Sequence, residues 1–183
     1  MPEPWQIGNV PGPRQANVIT EPIVVSALIE KAGHPLLIIG HEAIGVKVGE
    51  TKLTGLLPKK AEKGVQILAT AHTAKELVAE NFKVIPWMGV VEITHKLTDQ
   101  AWLGLDGKGP YDLVIFLGVP YYLQSQMLST LKHFAPHLKT ISLDRYYQPN
   151  ADWSFSNISE DDWHEAIKAI INGLLEVKSD GDV

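Results

Sequence analysis

Short runs rich in apolar residues recur along this chain, the first without polar alternation, and stretches with helical spacing lie between them. The runs are "PLLIIG" (35–40), "VQILAT" (65–70), "DLVIFLG" (112–118) and "KTISLD" (139–144), with "KVIPW" (83–87) as a further short strand. Such a run reads as a strand covered on both faces, because a strand with one solvated face alternates. The first helix is marked by Thr20 as N-cap, Glu21 at the positive helix start and Pro22 in the first turn. Val24, Ala27, Leu28 and Ala32 form its apolar face, and Gly33 stops it. "TAKELVAENF" follows the second run, with Thr73 and Glu76 spaced as a capping box. "GVVEITHKLTDQAW" puts Val90, Ile93, Leu97 and Trp102 on one side. "YYLQSQMLSTLKHFA" is the next helix, and "SEDDWHEAIKAIINGLLEV" the last, opening on a Ser159–Asp162 variant of the capping box.

Strands alternating with helices predict an α/β fold with a single doubly wound parallel sheet of the Rossmann-like kind. Ligands in such sheets bind beyond the strand carboxyl ends, at the point where the strand order reverses. No repeat and no internal linker breaks the pattern, so residues 1–183 read as one domain. Within it, residues 1–17 form an extended arm and 18–183 the α/β domain. Pro2, Pro4, Pro11 and Pro13 remove backbone donors and forbid a helix in the arm. Trp5 and Ile7 suit an arm that docks; the alternative is a free tail.

Composition narrows the function. A chain of 183 residues, 45% hydrophobic and 20% charged, can bury a sizeable core. Its net charge of -5 argues against nucleic acid, which needs a concentrated basic face. No apolar stretch reaches bilayer length and no signal pattern opens the sequence, so a soluble cytoplasmic protein without a membrane partner is expected. There is no cysteine, which excludes thiolate metal sites, cysteine nucleophiles and cysteine-ligated iron–sulfur clusters in this chain.

The usual catalytic signatures fail on inspection. Gly40 and Gly45 have phosphate-loop spacing, but Val46 stands where Lys is required and Val48 where the magnesium-binding hydroxyl is required. His41 and Glu42 open a zinc-protease motif whose second histidine falls on Gly45. Gly107 and Gly109 precede a strand, whereas the dinucleotide fingerprint follows one, so they read as a turn. His133 and His137 are spaced four apart with Pro136 between them, which breaks a shared helical face. No catalytic residue and no metal ligand is assigned. What remains is the strand-end geometry, where Gly40, His41, Gly118, Val119, Pro120 and Asp144 would line a weak dinucleotide site. The glycines would admit a ligand close to the backbone, Pro120 would open a helix facing phosphate, and Asp144 would accept from ribose hydroxyls. The alternatives for Asp144 are a helix cap or an ion pair with Arg145.

The runs "KAGHPLLIIGHEA", "YDLVIFLG" and "KTISLD" resemble strands of the deoxyhypusine-synthase-like NAD/FAD-binding fold. More specifically, "LLIIGHE", the block from Trp102 to Asn157 ("WLGLDGKGPYDLVIFLGVPYYLQSQMLSTLKHFAPHLKTISLDRYYQPNADWSFSN") and the final helix resemble the epsilon-subunit family of the archaeal acetyl-CoA decarbonylase/synthase complex. That resemblance covers nearly the whole chain. It implies an accessory subunit bound to the large nickel–iron–sulfur carbon monoxide dehydrogenase subunit, with a stabilising role or a role in passing electrons to FAD. Homo-oligomers are left open. Tyr146, Tyr147, Trp153 and Phe155, in an irregular stretch, would be interface anchors or would pack under the last helix. The rival reading is a flavin- or nicotinamide-dependent oxidoreductase acting on its own.

Overall fold

A computed structural model describes residues 12–48, 51–56, 64–79 and 86–176. In chain order the elements are β1 (Asn17–Val18), α1 (Pro22–Lys31), β2 (Pro35–Ile39), a 3-10 turn (His41–Ala43), β3 (Lys47–Val48), β4 (Thr51–Lys52), α2 (Leu53–Leu56), β5 (Gln66–Ala69) and α3 (Ala71–Ala79). They continue with α4 (Val90–Thr98), β6 (Leu113–Leu117), α5 (Tyr121–Phe134), β7 (Lys139–Ser142), β8 (Trp153–Ser154) and α6 (Glu160–Glu176). Six strands form one sheet in the order β1-β8-β7-β6-β2-β5, and every pair in it is parallel. β3 and β4 make a separate two-stranded hairpin.

The unalternating runs are strands with both faces covered. Every residue of β2 and β6 is buried. Leu37, Ile39, Ile115 and Leu117 point to one face and pack with Val25 and Ile29 of α1 and with Trp163, Ile167 and Ile170 of α6. Leu36, Ile38, Val114 and Phe116 point to the other and pack with Ile93 and Leu97 of α4 and with Leu128 and Leu131 of α5. The alternation of side chains along each strand thus feeds two cores, one on each side of the sheet.

Several boundaries differ from the sequence reading. α1 is capped at Glu21 rather than Thr20, with no side-chain cap bond. The capping box expected at Thr73 is not one: α3 opens at Ala71, Thr73 is buried within it, and its hydroxyl meets that of Thr70 at 2.8 Å. α4 ends at Thr98, so Trp102 packs on the second core from the following loop. The expected strand at 83–87 lies partly outside the described residues; Trp87 forms an isolated bridge with Ala69. At α6 the Ser159 side of the box forms: Ser159 Oγ accepts from the Asp162 N–H at 3.1 Å, and the Asp162 carboxylate accepts from the Ser159 hydroxyl at 2.6 Å.

Trp5 and Ile7, which suggested docking for the arm, lie outside the described residues. The arm's end lies along the sheet. Asn17 and Val18 pair with Trp153 and Ser154 as the edge strand. The Ala16 carbonyl accepts from the buried Tyr147 hydroxyl at 2.7 Å, and Lys132 Nζ donates to the Arg14 carbonyl.

Candidate functional site

β2 is paired with β5 on one flank and β6 on the other, so the strand order reverses at β2. The crevice expected of a doubly wound sheet therefore lies at the carboxyl ends of β2, β6 and β7. All six sequence-predicted site residues stand there, because each directly follows one of these strands.

They are brought together mainly through one another. The Gly40 N–H continues the ladder by donating to the Leu117 carbonyl at 2.8 Å, and the Glu42 N–H donates to the Gly118 carbonyl at 2.9 Å. A Cβ on Gly40 would sit 2.1 Å from the Gly118 oxygen. Gly118 has φ +72°, and a Cβ there would sit 2.2 Å from the Ala43 nitrogen. The close approach that glycine permits is thus used between the β2 and β6 turns. Val119 is buried in the second core, and Pro120 sits at the N-cap position of α5. His41 is exposed on the 3-10 turn.

Asp144 holds the arrangement from β7. Its Oδ1 accepts from the Gly118 N–H at 2.7 Å, while Oδ2 is sealed from solvent with no hydrogen-bond partner. Its carboxyl pKa is raised to about 7, chiefly by burial and also by the Glu42 charge, against the Gly118 N–H and the Gln124 side chain, which lower it. Of the alternatives for Asp144, the ion pair with Arg145 is not made: Arg145 lies 4.6 Å over the Tyr146 ring and donates to its hydroxyl at 2.6 Å.

Behind Asp144 runs a buried amide network that the sequence reading missed. Gln124 Nε2 donates to Ser142 Oγ at 3.2 Å. Gln148 Nε2 donates to Gln124 Oε1 at 2.9 Å and to the Tyr121 carbonyl at 3.0 Å. The Gln148 N–H donates to Ser154 Oγ at 2.9 Å. The available signal was a glutamine in each of "YYLQSQ" and "YYQPN", where the neighbouring apolar positions imply burial. Of the aromatic anchors expected in that stretch, Tyr147 and Phe155 are buried and Trp153 packs on the first core; Tyr146 stays exposed.

Two tests bear on a bound group. Among the described residues, no three His, Cys, Asp or Glu side chains are grouped to hold a metal ion. As the crevice stands, Asp144 is buried with its Oδ1 held by the Gly118 N–H, and Gly40 and Gly118 face neighbouring backbone, so these groups do not face a dinucleotide. A polar cavity of about 300 Å³ opens at the opposite edge of the sheet, between Arg14, Lys132, Asn150 and Asp152, and is no part of this crevice.

Residues 1–171 match the family model described as "CO dehydrogenase beta subunit/acetyl-CoA synthase epsilon subunit". The chain belongs to this family. Among its relatives, "Acetyl-CoA decarbonylase/synthase complex subunit epsilon" of Methanothrix soehngenii is 39% identical over 94% of this chain and 91% of its own length. The protein of the same name from Methanothermobacter thermautotrophicus is 40% identical over 87% of this chain and 89% of its own. "Acetyl-CoA decarbonylase/synthase complex subunit epsilon 1" of Archaeoglobus fulgidus is 41% identical over 86% and 83%. The family match spans both cores and the strand-end crevice.

Proposed function

We propose that this chain is the accessory epsilon subunit of an acetyl-CoA decarbonylase/synthase complex, where it binds the large carbon monoxide dehydrogenase subunit and stabilises it. The observation that carries this reading is the near end-to-end similarity to proteins named as that subunit. The crevice supports it. Its polar groups hold the turns after β2, β6 and β7 to one another, which suits a rigid body that presents a surface. A flavin role, whether alone or within the complex, requires those turns to separate first.

The test is the inactivation half-life of the purified dehydrogenase subunit on heating, with and without a molar excess of this chain. A protein that binds only the folded partner stabilises it by mass action, so the half-life should lengthen with concentration. An unchanged half-life contradicts the stabilising role. In parallel, FAD, NAD and NADP titrated into this chain should give no saturable binding below about 100 µM. A stoichiometric flavin complex would favour electron transfer to FAD instead.

A further inference from the structure

The exposed apolar side chains are sorted to one edge of the sheet. Among the described residues, ten large ones stand exposed. Val78 and Phe134 lie at the closing ends of α3 and α5, and Leu103 lies between α4 and β6, so these three belong to the amino edge. The other seven end strands or open helices at the carboxyl edge. The aromatic ones are Trp87, 65% exposed beside the end of β5, Tyr122, 68% exposed in the first turn of α5, and Tyr146, 42% exposed after β7.

Exposed carboxylates stand among them, although the amino edge also carries the exposed Glu30, Asp99, Asp112 and Asp152. Glu21 caps α1, Glu42 lies in the 3-10 turn, and Glu92, Glu160, Asp161 and Asp162 stand in the first turns of α4 and α6. All six are exposed at the carboxyl edge. Lys31, Lys96, Lys132 and His133 close α1, α4 and α5 at the amino edge. Helix dipoles account for the charges. They do not account for the exposed Trp and Tyr residues standing among them.

We infer that the carboxyl edge is the face that docks the partner subunit, and that the partner meets it with Lys and Arg side chains around an apolar patch. This rests on the reading that the chain works through a partner. Trp, Tyr and Arg are the side chains that interfaces favour. Tyr146 and Arg145 are already stacked, so little ordering entropy is lost when they bind. A basic surface complements the six carboxylates and is steered to them. A second copy of this chain fits poorly, because a two-fold contact through this edge sets carboxylates against carboxylates.

The experiment measures affinity and association rate of the full chain for the dehydrogenase subunit, as wild type, Trp87→Ala, Tyr122→Ala, Glu92→Lys and Phe134→Ala, with each variant's melting temperature checked. Trp87→Ala or Tyr122→Ala should weaken binding roughly tenfold or more, as anchors do. Glu92→Lys and added salt should slow association, and Phe134→Ala should bind as wild type. If wild type binds while the carboxyl-edge variants bind equally well, or only Phe134→Ala loses affinity, the docking face is overturned and the partner reading stands. If wild type does not bind, both fall. If Tyr122→Ala changes the mass of the isolated chain in solution, the edge belongs to a second copy and the inference is overturned.

Discussion

A methyl group on Gly40 would lie 2.1 Å from a backbone oxygen, and one on Gly118 2.2 Å from a backbone nitrogen at positive φ. Neither neighbour is a side-chain tip that can swing away. Gly40→Ala and Gly118→Ala should therefore each lose about 3 kcal/mol or more of stability, at or above the usual range for overpacking, read as urea midpoints. A loss below about 0.5 kcal/mol would mean that the turns are not held together. Asp144 gives a pH signature. Its folded pKa, about 7, lies above the ordinary carboxylate value because of burial. The protonated form is the one the fold favours, so this contribution is complete below about pH 4 and is lost as pH rises through about 7. Wild type should lose stability across that window, by at most about 4 kcal/mol from this group. Asp144→Asn should flatten the profile while keeping an acceptor for the Gly118 N–H. Parallel profiles for the two proteins would refute the assignment.

Among the elements, β2 and β6 were the most legible in the sequence because burial on both faces leaves no polar position within them. The helix at 160–176 was legible through its cap. Ser159→Ala removes the acceptor for the Asp162 N–H, and a melting-temperature loss equivalent to about 1 kcal/mol is expected. No change would mean that the cap is frayed in solution. β1 was not legible. A two-residue edge strand carries no periodicity, and Asn17 and Val18 pair with β8 only because the 143–157 loop delivers Trp153 and Ser154 to the sheet. The same loop decides between the two readings of the aromatics: its irregular backbone hid the register that buries Tyr147 and Phe155 and leaves Tyr146 outside. The six candidate residues do follow strand ends, but spacing could not tell a glycine that faces a ligand from one that faces another turn. That distinction requires knowing that β2 and β6 are neighbours, which crossover topology decides and local sequence does not.

On the scale of the whole molecule, one sheet separates two apolar cores, and two of the helices packed on it, α4 and α6, open on acidic first turns at the carboxyl edge. That edge carries the exposed Trp87, Tyr122 and Tyr146, while its central groups are paired within the chain. The central claim of the proposed function is that this body works through a surface that meets a partner subunit. The measurement that tests it most directly is sedimentation of this chain mixed with the purified large carbon monoxide dehydrogenase subunit at low micromolar concentration, both proteins folded. The account predicts a single boundary heavier than either component. Two boundaries moving at the rates of the separate proteins would contradict it.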